Sequence, residues 1–148
     1  MALMLSEHRI EDILETMGSL AVYLVVCVAL LLASYWLLDI LTPGKLTQII
    51  KQGGWNAALL ASANLFAVAL IILFAFLGQP VTINGIVTST VFAVAGAIFQ
   101  AIGLWIIRRI WLAKDDLQSV LASPVSPTGI FLASASLALG LAVGVAVY

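Results

Sequence analysis

Charged residues are spaced so unevenly along the chain that the gaps between them define its organisation. Residues 16–38 carry no charge, nor do residues 52–107, nor do residues 117–148. A helix needs ~20 residues to cross the ~30 Å hydrocarbon core of a bilayer. The first and last gaps each accommodate one span. The middle gap is more than twice the required length, and Gly78-Gln79-Pro80 followed by Asn84-Gly85 breaks it into a hairpin of two. The pattern therefore predicts spans at about 18–41, 55–77, 86–109 and 128–148.

Residues 1–17 form a separate N-terminal segment in this reading, an amphipathic segment on the outer side. Ile10, Ile13, Leu14 and Met17 recur at helical spacing opposite Glu7, Glu11, Asp12 and Glu15, which suits a short helix lying on the membrane surface. A frayed tail is the alternative. A signal peptide is disfavoured, because the segment before the apolar run is acidic, the run is long, and no small-x-small site follows it. In the first connection Leu46, Ile49 and Ile50 beside Lys45, Gln48 and Lys51 have the same amphipathic character.

Composition turns this pattern into a compartment. Of 148 residues 64% are hydrophobic and 9% charged, with a mean hydropathy of +1.20. A soluble domain is about half apolar and a quarter charged, so the excess here must face lipid. The net charge of −1 leaves no basic field for nucleic acid. One cysteine, Cys27, and one histidine, His8, cannot build a zinc or iron site within one chain, so no metal and no cofactor is expected.

Lys and Arg stay on the cytoplasmic side, and five of the six lie at one end: Lys45, Lys51, Arg108, Arg109 and Lys114, against Arg9. Both termini are thus expected outside and both longer loops inside. Trp36, Trp55, Trp105 and Trp111 fall at that same inner boundary, where amphipathic rings settle.

The two halves resemble each other. Tyr35-Trp36-Leu37-Leu38-Asp39 matches Leu104-Trp105-Ile106-Ile107-Arg108, and Leu60-Ala61-Ser62-Ala63-Asn64-Leu65 matches Leu132-Ala133-Ser134-Ala135-Ser136-Leu137. Each unit is span, inner loop, span, in the same orientation. The expected fold class is an all-α integral membrane four-helix bundle of two parallel two-helix repeats.

Leu41-Thr42-Pro43 before a polar loop, Asn56-Ala57-Ala58 opening the second span, Gln100 in the third, and Gly129-Ile130-Phe131-Leu132-Ala133-Ser134-Ala135-Ser136 with Gly140 in the fourth carry a resemblance. In their order and spacing, over residues 18–148, the chain resembles the uncharacterised bacterial inner-membrane family of the YjfL type, a domain of unknown function with two tandem two-helix repeats. The resemblance implies that fold and the inner membrane, without an activity. Members usually carry an acidic or amide residue just before the asparagine of the second span, where this chain has Trp55.

Polar groups inside a span are costly unless paired, so they are the first candidates for function. Asn64 near the midplane, Gln100, Ser62, Ser134 and Ser136 read either as the lining of a solute path or as contacts between helices, and the absence of any midplane charge favours contacts. Asp39 and Arg108, at equivalent places in the two repeats, are a candidate inter-repeat ion pair, with independent snorkelling to the headgroups as the alternative. Ser136, Gly140 and Gly144 form a small-residue stripe for close helix packing, and Ala93, Ala97 and Ala101 form a second.

Motifs for catalysis are lacking: Gly53-Gly54 is followed by no phosphate-loop lysine, and no nucleophile, histidine and acid can be assembled. The expected role is non-catalytic, as a scaffold or subunit of a membrane assembly. A small oligomeric channel or permease for an ion or small solute is the rival. Expected partners are the lipid bilayer and either further copies of the chain or other membrane subunits, with no nucleic acid.

Overall fold

The computed structural model describes residues 2–42, 44–80, 82–111 and 117–148, with backbone alone for residues 2–12 and Glu15. Pro43, Lys114 and the side chains of His8, Arg9, Ile10 and of Glu7, Glu11, Asp12 and Glu15 lie outside the described residues, and so do the expectations placed on them.

Apolar spans form helices because lipid offers no hydrogen-bond partner, so each backbone group must be satisfied within its own segment. The described elements are α1 (Ala2–Leu41), α2 (Leu46–Lys51), α3 (Trp55–Phe76), α4 (Ile83–Trp111), α5 (Leu117–Ala122) and α6 (Pro127–Val147). Four are long and apolar enough to cross a membrane: Thr16–Leu41 within α1, then α3, α4 and α6. α1 runs unbroken from Ala2 through the stretch expected to be a separate surface helix.

Local chemistry sets the element ends. Gly78, at φ +80°, occupies the left-handed region at the hairpin between α3 and α4. On the far side of that turn Thr82 Oγ1 accepts the Gly85 N–H at 3.2 Å. Ser126 caps α6 by accepting the Gly129 N–H at 3.2 Å, and Pro127 opens the helix where its missing N–H costs nothing.

The four long helices pack as a bundle with α3 at its centre, touching α1, α2, α4, α5 and α6. Half of its apolar window is buried, against 6% for that of α1. α3 and α6 run in the same direction. Contacts climb both helices together, with Asn56 beside Gly129, Ala67 beside Gly140 and Phe74 beside Gly144. A Cβ on Gly140 would overlap the Ala67 side chain and stand 2.6 Å from its Cα, so the small-residue stripe on α6 is the seam on which the halves meet. On α4 the buried stripe is Gly85, Ser89, Ala93, Gly96, Gln100, Leu104 and Arg108. Of the expected alanine stripe only Ala93 belongs to it, while Ala97 and Ala101 are half-buried beside it.

The two-fold relation between halves is incomplete. α3 packs on both α1 and α4, whereas α6 packs on α4 and makes no contact with α1 among the described residues. The amphipathic helix of the first loop turns its apolar face to the bundle. Leu46 and Ile49 of α2 enter the bundle core with Leu38, Leu60, Leu104, Leu121 and Leu132. α5, which the hydrophobic pattern did not signal, contributes Leu121 to the same core.

Candidate intramembrane polar site

α3 presents two asparagines eight residues apart on its packed face, and their surroundings differ. Asn56 is fully buried. Its Nδ2 lies 2.8 Å from the Val120 carbonyl, 2.9 Å from that of Pro124, and 3.0 Å from each of Ser123 Oγ and Ser126 Oγ. Two hydrogens serve these four acceptors, and Oδ1 accepts the Ser126 N–H at 3.1 Å. Gly129 completes the fit, because a Cβ there would overlap the Asn56 amide. One side chain thereby fastens the start of α3 to the connection between α5 and α6.

Asn64 is also buried, yet its side chain makes no hydrogen bond among the described residues. It lines a cavity of about 10 Å³ with Ser34, Gln100 and Arg108, walled by Leu37 and Ala101. Gln100, 1% exposed, donates through Nε2 to the Ser136 carbonyl at 2.8 Å and to Ser136 Oγ at 3.2 Å. Gln100 Oε1 is buried with no partner among the described residues. Arg108, 6% exposed, donates from Nη1 to Thr42 Oγ1 at 3.3 Å, and Thr42 donates in turn to the Leu38 carbonyl at 2.7 Å. Ser34 donates to the Leu31 carbonyl at 2.9 Å.

The sequence-derived candidates therefore separate. Asn64, Gln100 and Ser136 come together in the interior. Ser62 and Ser134 do not: both are exposed on the outside of the bundle, Ser62 bonding the Ala58 carbonyl of its own helix at 2.9 Å. Asp39 and Arg108 form no ion pair. Asp39 Oδ1 instead accepts the Thr47 N–H at 2.7 Å and the Thr47 hydroxyl at 2.9 Å, tying α1 to the first turn of α2. Equal depth in two repeats does not fix which way a side chain faces. On α1 the inward position belongs to Leu38, and Asp39 turns towards the loop.

Asn56 was visible in the sequence as part of a motif, but not as a site. Its eight-residue spacing from Asn64, two helical turns on one face, was the available signal. Ser34, Thr42 and the buried Ser89, whose Oγ has no partner among the described residues, carried no comparable mark. No group of three or more His, Cys, Asp or Glu lies together among the described residues.

A family model described as Domain of Unknown Function (DUF350) matches residues 12–147, a stretch that includes all four spans and every residue of the polar site. The chain belongs to the DUF350 family. It is thus a polytopic membrane protein of an uncharacterised family, and Asn56, Asn64, Gln100 and Arg108 all fall inside the DUF350 match. No curated protein and no solved structure matches this DUF350 chain.

Proposed function

We propose that the protein is a non-catalytic scaffold or subunit of an assembly in the bacterial inner membrane, built from a tandem repeat of the YjfL type with both termini outside. The observation that carries this reading is the size of the polar interior. Its cavity of about 10 Å³ has room for a single water, and of the amides that line it Gln100 bonds across to the Ser136 carbonyl of α6. A solute path needs polar groups along a continuous opening. The seam between the halves is instead filled where Gly140 meets Ala67. The exposed, apolar length of α1 supports a role in which lipid or another subunit covers it.

The channel or permease reading keeps one specific support. Ser62 and Ser134, equivalent in the two repeats, both face outward and would line a path only between copies. Vesicles reconstituted with the purified protein separate the readings. The scaffold predicts no ion or small-solute flux above that of empty lipid, with co-purifying membrane proteins found in a native-lipid extract. Robust flux lost in Ser62→Leu would install the channel instead. Orientation is checked by cysteine labelling from outside. A thiol introduced at Ser6 should be modified and one at Gln48 protected, and the reverse pattern would invert the topology.

A further inference from the structure

The donors and acceptors around the small cavity select one kind of ligand. Gln100 Nε2 bonds the backbone carbonyl of Ser136, which can only accept, so the orientation of the amide is fixed. Oε1 is then the free end, buried and without a partner among the described residues. An unsatisfied carbonyl oxygen in a low-dielectric interior calls for a donor. Arg108, eight residues further along the same helix, lines the same cavity and carries five N–H donors, of which one bonds Thr42 among the described residues. Asn64 adds an amide able to donate and accept, and makes no side-chain bond of its own among the described residues. The Ser34 hydroxyl has given its hydrogen to Leu31 and retains a free acceptor site.

We infer that this cavity binds one water molecule as a fixed part of the fold, donating to Gln100 Oε1 and accepting from Arg108. Other occupants fail on chemistry or on size. An anion would meet the Gln100 carbonyl oxygen, a cation would meet the guanidinium, and an apolar group would leave both unpaired. Only a molecule that donates and accepts at once satisfies this set. The volume of about 10 Å³ meets the lower bound for one water and excludes larger polar solutes. Buried waters typically make about three hydrogen bonds, and Ser34 or Asn64 supplies the third. The water links Gln100 and Arg108 of α4 to Ser34 of α1 or Asn64 of α3, beside the direct bond from Arg108 to Thr42.

Difference infrared spectroscopy on the whole protein in lipid tests this directly. Exchange into water labelled with heavy oxygen shifts the O–H stretch of a confined water and leaves protein bands in place. A sharp shifted band is expected from the unmodified protein and is expected to vanish in Gln100→Leu. Ala101→Val provides the second arm, because it fills the cavity while leaving the Gln100–Ser136 bond intact. It should abolish the band and lower the thermal midpoint, since the displaced water leaves Gln100 Oε1 without a donor and removes an acceptor from Arg108. Absence of the band in the unmodified protein, its persistence in both variants, or a raised midpoint in Ala101→Val would overturn the assignment.

Discussion

Asn56 and Asn64 are the same residue type on the same face of the same helix, two turns apart, and both are buried. Asn56 meets the backbone of the α5–α6 connection, where carbonyls at and after the end of α5 and the N–H of Ser126 before α6 take it as a partner. Asn64 lies in the middle of a span beside the small cavity, where backbone groups are satisfied within their own helices. The first is therefore saturated and structural, and the second keeps spare hydrogen-bonding capacity beside a cavity. A polar residue in a membrane bundle takes its role from whether it faces a helix end or a helix middle.

The largest effect is expected at the seam on which both asparagines depend. Gly140→Leu would force α3 and α6 apart at Ala67, one turn from Asn64, and should cost more than the ~1–3 kcal/mol typical of overpacking, because the obstacle includes backbone that no rotamer change can move. Leu139→Ile, which keeps its volume in a partly buried position, should cost less than about 1.5 kcal/mol. Thermal stability in detergent, read beside size-exclusion profiles, compares the two, and equal behaviour would remove the seam from the account.

Asn56→Leu comes next. It removes this partner from the Val120 and Pro124 carbonyls and the Ser126 N–H, for a loss of about 3 kcal/mol at ~1 kcal/mol for each group, the lower end of the range because Ser123 Oγ still donates to both carbonyls. Hydrogen exchange should rise first around residues 120–129. An unchanged exchange pattern there would show that the connection holds itself and that the contrast between the asparagines is false.

Asn64→Ser should cost least, at most ~1–2 kcal/mol, the range of single interhelical hydrogen bonds. Ser136 already stands at the equivalent place in the other repeat. A loss in Asn64→Ser as large as that in Asn56→Leu, measured in the same assay, would mean that both residues do the same structural work.

Four long apolar helices packed as a bundle were legible in the sequence, because each depends on a one-dimensional quantity. Charge-free length sets a span, and glycine at helical spacing sets a close approach. The likeness of Leu60–Leu65 to Leu132–Leu137 is followed in the structure by helices that run the same way, α3 and α6. Position along the bundle axis was thus readable, as with the four exposed tryptophans gathered at one end of the bundle.

Azimuth was not. Asp39 shares its depth with Arg108 but turns to Thr47, and Ser62 shares a helix with Asn64 but faces outward. Nor did apolarity alone rank the spans. The Thr16–Leu41 span of α1 is nearly as apolar as α3, yet α3 is the hub and α1 the edge, because the alanines at 57, 61, 63, 67 and 75 let neighbours close on α3 from several sides. In lipid, exposed and buried apolar positions look alike, since hydrocarbon solvates leucine as well as a protein core does. Which faces meet, and which polar atoms are left for a water to satisfy, was decided only by tertiary packing.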